Sequence, residues 1–200
     1  MRTACGLAIA LVAMYAAGPE YFPLGSLGET PRDDRFRADW YSKRLAALQE
    51  PSIWGMSRQA PTVEVYRFLW LRSFHNPISV RLNVASDGTG VLTSKETNGK
   101  AGHDPETLIR NTSERLSKEQ TQWFLRRLDD VGFWKLPARQ QVPERTSHLD
   151  GAQWIVEASK DGHYQIVDRW SPPPDDPIHT LGMMLTNGLA HFKLRRQEVY

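Results

Sequence analysis

The sequence predicts an α+β domain whose mainly antiparallel sheet has five to six strands, with two to three helices packed on one face, preceded by an N-terminal apolar leader. Several segments alternate apolar and polar side chains with the period of a strand, two tight turns join such segments, and others have helical periodicity. The predicted order lacks the regular strand-helix alternation of parallel sheets, and tight hairpins require antiparallel neighbours. A length of 200 residues suits one domain.

The first residues have the pattern of an export signal. Arg2 precedes an apolar run over residues 4–17, as in the charged and apolar regions of a secretory signal. As a helix this run spans about 21 Å, short of the roughly 30 Å hydrocarbon core of a membrane. We therefore expect residues 1–18 to be a signal peptide or a short membrane anchor, with a buried N-terminal helix of a cytosolic protein as the alternative. The only cysteine, Cys5, lies in this run, which excludes an intramolecular disulfide.

Prolines and glycines without any helical or strand period predict a linker over residues 19–33. The single folded domain is then expected over residues 34–200. Its first helix is predicted over residues 34–49, because apolar side chains recur there at helical spacing. The predicted apolar face of this helix consists of Phe36, Trp40, Leu45 and Leu48.

Six strands follow from alternating patterns and turn residues, and they are predicted over residues 63–72, 78–84, 91–97, 107–115, 153–158 and 164–170. Asp87-Gly88 and Asp161-Gly162 have the chemistry of hairpin turns. Ser117 and Gln120 match a capping box, which predicts a helix that Gly132 ends. Asp176 before Pro177 predicts the start of a terminal helix. The buried face of that helix is expected to consist of Ile178, Leu181, Leu185, Leu189 and Phe192.

Four polar residues on or beside the second hairpin form the candidate catalytic set: His148, Asp150, Glu157 and Asp168. Asp168 shares strand parity with Tyr164 and Ile166, so burial should raise the pKa of its carboxyl group and suit it to general base catalysis. His148 and Asp150 have the residue types of a metal pair, but a third ligand is missing, and we expect no metal or cofactor. The structural alternative is that Asp168 or Glu157 pairs with Arg169 or another arginine across the sheet.

Tryptophan is abundant, with seven residues in the chain. Trp70, Trp154 and Trp170 lie on predicted strands, where large rings can form a ligand-binding platform for sugars, peptides or apolar molecules. The alternative is that these rings belong to the core, since tryptophan buries a large apolar area.

Several function classes are excluded by what the sequence lacks. It has no nucleophile elbow, phosphate-binding loop or dinucleotide-binding turn, and its net charge of +2 does not predict nucleic-acid binding. We therefore expect an exported bacterial envelope protein, periplasmic or attached to the inner membrane through residues 4–17. It would bind a protein or small molecule without catalysis, through the sheet face or the proline-rich loop near residues 171–177. The alternatives are a hydrolase-like enzyme built on the candidate catalytic set, and a membrane-tethered structural subunit.

Overall fold

The computed structural model describes residues 20–99, 107–139 and 150–200. The predicted leader and His148 lie outside these residues. The helices and strands are α1 (Pro31–Ala47), α2 (Ile53–Gln59), β1 (Glu64–Arg72), β2 (Ile78–Val84), β3 (Gly90–Thr97), β4 (Leu108–Leu116), α3 (Lys118–Asp130), β5 (Ala152–Lys160), β6 (His163–Trp170) and α4 (Pro177–Met183). A π-helix (Met184–Leu189) extends α4, and short 3-10 helices lie at Phe133–Lys135 and Arg196–Glu198.

The six strands form one antiparallel sheet in the order β4-β3-β2-β1-β5-β6. The predicted α+β class is therefore confirmed. Strand β1 lies inside the sheet, where its register with β5 places Arg67 opposite Glu157 and Trp70 opposite Trp154. The turn between β5 and β6 has the left-handed backbone expected of a tight hairpin, with φ of 50° at Asp161 and 75° at Gly162.

Both faces of the sheet are covered over part of their area. One face packs under α3 and α4, and we call it the α3 face. Its core residues include Phe68, Trp70, Val80, Trp154 and Val167. The opposite face packs under α1 across β1, β5 and β6, and we call it the α1 face. Its core residues include Leu69, Leu71, Ile155 and Ile166. Two helices thus share one face, as expected, and the first helix lies on the other.

Residues 20–33, predicted as part of a linker, pack as part of the domain instead. Tyr21, Phe22 and Leu27 are buried in the same cluster as α1 and the α1 face. The Asp34 carboxylate secures this segment, because it accepts the backbone N–H groups of Leu27 at 2.8 Å and Gly25 at 2.9 Å. These buried apolar residues could not be recognised from the sequence, because they follow no regular period among the prolines and glycines.

The first helix begins earlier than predicted, at Pro31, after the N-cap Thr30. Phe36, expected on its buried face, is 67% exposed. The buried face is formed by Tyr41, Leu45 and the charged Asp34 and Arg44. Burial of charged groups on this helix cannot be recognised from apolar periodicity, which explains the error.

The capping box and the terminal helix are confirmed. Ser117 and Gln120 form the predicted reciprocal hydrogen bonds at the start of α3. All five residues predicted on the terminal apolar face are buried. The last helix is regular only to Met183 and then widens into a π-helix, in which the Thr186 hydroxyl donates to the Gly182 carbonyl at 2.8 Å. Helix α2 was not predicted, because seven residues are too few to establish a period.

In the ranges that the structure describes, no helix is both long enough and apolar enough to cross a membrane.

Candidate functional site

Glu157, one of the predicted catalytic residues, is held in a buried ion pair. It lies on the α1 face directly opposite Arg67, and both side chains are fully buried. Arg67 Nε donates to Glu157 Oε2 at 3.0 Å, and Nη2 donates to the same oxygen. Burial opposes the charge of Arg67, but the carboxylates of Glu157 and Glu50 outweigh it and raise the pKa of the guanidinium. The structural alternative, a pair with an arginine across the sheet, is confirmed for Glu157.

Glu50, which precedes α2, joins three cations on this face. Its Oε2 atom accepts from Arg81 Nε at 2.8 Å and lies 3.6 Å from Arg67 Nη1. Its Oε1 atom lies 3.0 Å from Lys95 Nζ, which also donates to the Gln49 carbonyl at 2.6 Å. Strands β1, β2 and β3 thus each send one cation to a single loop carboxylate. This arrangement fixes the loop between α1 and α2 and exposes no reactive group.

Two tyrosines complete the network around these carboxylates. Tyr164 Oη donates to Glu157 Oε1 at 2.8 Å, and burial together with the Glu157 charge raises the pKa of Tyr164 well above its ordinary value. Tyr21 Oη donates to the Glu50 carbonyl at 3.0 Å. Tyr164 thus donates to the Glu157 carboxylate, whereas Tyr21 holds the backbone of Glu50.

Asp168, the second buried member of the predicted set, has a different environment. It lies on the α1 face at the end of β6 and is 4% exposed. Its Oδ2 atom accepts from Tyr41 Oη at 2.8 Å and from Arg37 Nη1 at 3.5 Å, whereas Oδ1 has no hydrogen-bond partner among the described residues. Burial raises the pKa of Asp168 to about 6, against the opposing effects of Tyr41 and Arg37. The predicted strand parity and the direction of the pKa shift are both confirmed.

The four predicted catalytic residues are not shown to share one site. Glu157 and Asp168 lie on the same face, but Glu157 is opposite Ile166 and Asp168 is opposite Ile155, and each has its own partners. Asp150 is exposed, and His148 lies outside the described residues. Within residues 20–99, 107–139 and 150–200, no group of three or more metal-ligating side chains occurs.

The predicted tryptophan platform is wrong for two of its three members. Trp70 and Trp154 are fully buried on the α3 face, with ring centroids 4.5 Å apart. The indole N–H of Trp154 donates to the Tyr200 carbonyl at 2.8 Å, and its ring stacks on His179. These rings are core, because the helices that cover the face exclude a ligand. Trp170 is half-buried at the end of β6, and its ligand-binding role stays a prediction.

A cleft of about 1110 Å³ lies between the segment 20–31 and α1, and the sequence did not predict it. Its walls include the aromatic side chains of Tyr21 and Phe22 and the helix residues Asp34, Ala38 and Ser42. An adjoining cleft of about 540 Å³ contains Phe36. The sequence feature that could have indicated this cleft is the cluster of aromatic residues among prolines and glycines, which is typical of a packed loop.

The charges at the cleft are mixed, with acidic groups in excess. Glu20, Glu29 and Asp39 are exposed lining acids, and the lining cations are the exposed Arg35 and the half-buried Arg139. A fourth acid, Asp34, is committed to the fold. Burial opposes its ionisation, but backbone N–H donors outweigh that effect and lower its pKa. The remaining acids favour a cationic ligand group.

Arg139 connects the cleft with Asp168. It lines the cleft and forms a parallel β-bridge with Asp168. Within the part of the chain that the structure describes, Arg139 Nη1 is buried without a hydrogen-bond partner, as is Asp168 Oδ1. A free donor and a free acceptor therefore occur on bridged residues.

The sequence predicted binding through the sheet face or the proline-rich loop near residues 171–177. Most of the sheet is covered by helices, whereas Pro173, Pro174 and Asp175 of the loop are exposed.

Comparison of the chain with models of known protein families and with curated protein sequences finds no match. Interpretation of the site therefore rests on its own geometry and chemistry.

Proposed function

We propose that this chain is an exported bacterial envelope protein that binds a protein segment or small molecule without catalysing a reaction. The cleft between residues 20–31 and α1 is the proposed binding site. The observation that carries this proposal is its volume of about 1110 Å³, slightly above the roughly 300–1,000 Å³ of typical ligand pockets and large enough for a small molecule or a peptide segment. The ion network on the α1 face supports a non-catalytic role, since Glu157 is neutralised by Arg67 and removed from solvent.

The chemistry of the walls narrows the ligand class. Leu24 lines the cleft and is 90% exposed, and Phe36 beside it is 67% exposed. Exposed apolar side chains rimmed by polar groups are typical of binding surfaces. Acids outnumber arginines at the larger cleft, whereas Arg32 and Arg35 line the cleft that contains Phe36. The ligand favoured at the larger cleft therefore combines an apolar group with a positive charge, as in a basic, apolar peptide segment.

Filling the cleft tests this assignment. The full chain is titrated with short peptides that carry lysine and leucine, with alkylamines, and with sugars and divalent metals as comparison ligands. A ligand at 100 times its dissociation constant adds about 2.7 kcal/mol, which raises the midpoint of thermal unfolding by about 5–11 °C. We expect Asp39→Trp to abolish the shift, because residue 39 is exposed and lines both clefts.

Lys43→Trp is the matched control, since it places the same ring one turn further along α1 at an exposed position outside the cleft lining. The shift should survive in this variant. A ligand that stabilises the parent and both variants equally binds elsewhere, and that result would reject the cleft as the binding site.

Export is proposed from the apolar run over residues 4–17 and has its own test. The chain is expressed in a bacterium, its compartment is determined by fractionation, and its intact mass is measured. Loss of the first 16 to 18 residues supports a soluble exported protein. A chain that retains Met1 and sediments with membranes supports the anchor, and one that retains Met1 in the soluble cytoplasmic fraction contradicts export.

The second candidate function is a hydrolase-like enzyme, favoured by one observation. Asp168 combines a pKa of about 6 with an oxygen that lacks a partner, as a general base requires. Asp168→Asn removes the base while keeping the shape of the side chain. Turnover of ester, amide or glycoside substrates by the parent but not by this variant supports the enzyme, whereas equal turnover, or none in either, rejects it.

A further inference from the structure

The two edges of the sheet differ in how far other residues cover them. At the β6 edge, the Asp168 backbone N–H donates to the Ala138 carbonyl at 2.7 Å, and the Gln165 side chain donates to the Leu136 carbonyl at 2.8 Å. Residues 136–139 therefore cover that edge. At the other edge, β4 has one neighbour among the described strands, β3, and residues 111–115 are all exposed.

Strand β4 has few of the features that usually prevent pairing at an edge. It is nine residues long and contains neither proline nor lysine, which are common protective residues. Its register with β3 is regular from Arg110 to Leu116, whereas a bulge opposite Glu96 and Thr97 leaves Ile109 of β4 without a register partner on β3. The regular stretch Arg110–Leu116 presents a row of backbone donors and acceptors to another strand.

The sequence of β4 complements itself when a second copy runs antiparallel. With Thr112 on the two-fold axis, Arg110 of each copy lies opposite Glu114 of the other. A two-fold axis perpendicular to the sheet keeps paired residues on the same face, so both Arg-Glu pairs form on the α3 face. Opposite charges directly across antiparallel strands stabilise the pairing.

Neighbouring registers lack this match. Centred on Ser113, the pairing places Arg110 opposite Leu116 and Thr112 opposite Glu114, with no ion pair. Centred on Asn111, it places Arg110 opposite Thr112, again with no ion pair. The charges thus select a single register, which is the role that cross-strand pairs have in sheets with weakly specified edges.

The Arg110 side chain is held on the α3 face, where the ion pairs would form. Its guanidinium donates to the Ala190 carbonyl at 3.2 Å and lies 3.9 Å from the Phe192 ring centroid. Arg has five N–H donors, and others remain for Glu114.

We propose that the chain forms a two-fold homodimer through β4, in the register centred on Thr112, so that the sheets of both copies join into one continuous sheet. The proposal does not depend on the ligand or on the cellular location of the protein.

Charge reversal provides the test, with the mass of the full chain in solution measured by sedimentation over a range of concentrations. The parent is expected to be dimeric. Glu114→Arg places Arg opposite Arg twice and should weaken the dimer about tenfold or more. Asp130→Arg makes the same charge change at an exposed residue of α3 and should leave the dimer intact.

Mixing two variants makes the test independent of folding defects. Arg110→Glu alone places Glu opposite Glu and should also weaken self-association. Mixed with Glu114→Arg, it restores two opposite-charge pairs, so a heterodimer should form where neither variant dimerises well alone. A parent that stays monomeric at all concentrations, or a dimer that Glu114→Arg does not weaken, would overturn the proposal.

Cross-linking then checks the register. In a Cys5→Ser chain, Thr112→Cys should form an intermolecular disulfide on mild oxidation, because residue 112 lies opposite itself across the axis. Arg115→Cys should not, since in this register the two copies of residue 115 lie about 20 Å apart. Efficient cross-linking of Arg115→Cys and not of Thr112→Cys would contradict the register.

Discussion

The two faces of the sheet are both buried under helices, but they are held together by different interactions. On the α3 face, Phe68, Trp70 and Trp154 pack ring against ring, with centroids 4.5–5.9 Å apart. On the α1 face, Arg67 and Glu157 are equally buried and form an ion pair. Arg67 and Phe68 are adjacent in β1, so a single strand supplies both environments.

The difference matters because the two kinds of contact respond differently to the loss of one partner. An apolar side chain that is replaced by another of similar size leaves its neighbours with most of their contacts. A buried charge that loses its partner keeps its full desolvation cost. The α1 face should therefore tolerate single changes poorly, even where the volume of the side chain is preserved.

The largest effect is expected from Arg67→Met. The variant leaves Glu157 with Tyr164 as its remaining donor and removes the contact of Arg67 with the Pro51 carbonyl. We expect the free energy of unfolding to fall by about 3–5 kcal/mol at pH 7, measured by urea denaturation.

The double variant Arg67→Met/Glu157→Met is the control. It replaces both charges by apolar groups, a change that is often neutral or stabilising at buried pairs. It should be more stable than Arg67→Met alone. If the double variant is less stable than the single one, the cost comes from packing around β1 and not from an unpaired charge.

The contrast between the faces explains which parts of the fold were predictable. The strands carry local signals, such as the alternation of Ile78, Val80 and Leu82, and α3 carries a capping box within four residues. These signals depend on neighbours in sequence. The partner of Glu157 is 90 residues away, and only the strand order β1-β5 places Arg67 beside it, so periodicity could not identify the pair.

The candidate site was predictable in part. Strand parity placed Asp168 on an apolar face with a raised pKa, which the structure confirms. Its partners Tyr41 and Arg37 come from α1, more than 120 residues earlier, and local spacing contains no information on that contact. The cleft was missed because Tyr21 and Phe22 anchor a segment with no period, whose composition is typical of a linker.

The next effect in size is a pH dependence at Asp168. Its pKa is about 6 in the folded chain against an ordinary 3.8, so the unfolded chain releases this proton first as the pH rises. The contribution of Asp168 to stability is therefore fully present below pH 3.8 and is lost between pH 3.8 and 6. Over that window the parent should lose about 3 kcal/mol from this group.

Asp168→Asn cannot titrate, so it isolates this contribution. The free energy of unfolding of the variant, minus that of the parent, should rise by about 3 kcal/mol between pH 3.5 and 6.5. Chemical denaturation at four or five pH values measures the difference, and the other carboxyl groups cancel in the subtraction. Parallel pH profiles would show that the carboxyl group has the same pKa in both states.

The smallest effect is expected from Phe68→Met, the same replacement as Arg67→Met made at the next residue of β1. Phe68 is fully buried against Trp70 and Trp154, and methionine is flexible enough to fill much of the vacated space. We expect a loss of about 1.5 kcal/mol or less in the free energy of unfolding, measured under the conditions used for Arg67→Met. If Phe68→Met lowers the free energy of unfolding as much as Arg67→Met does, the two faces respond alike. Side-chain shape would then limit stability on the α3 face as strongly as charge does on the α1 face.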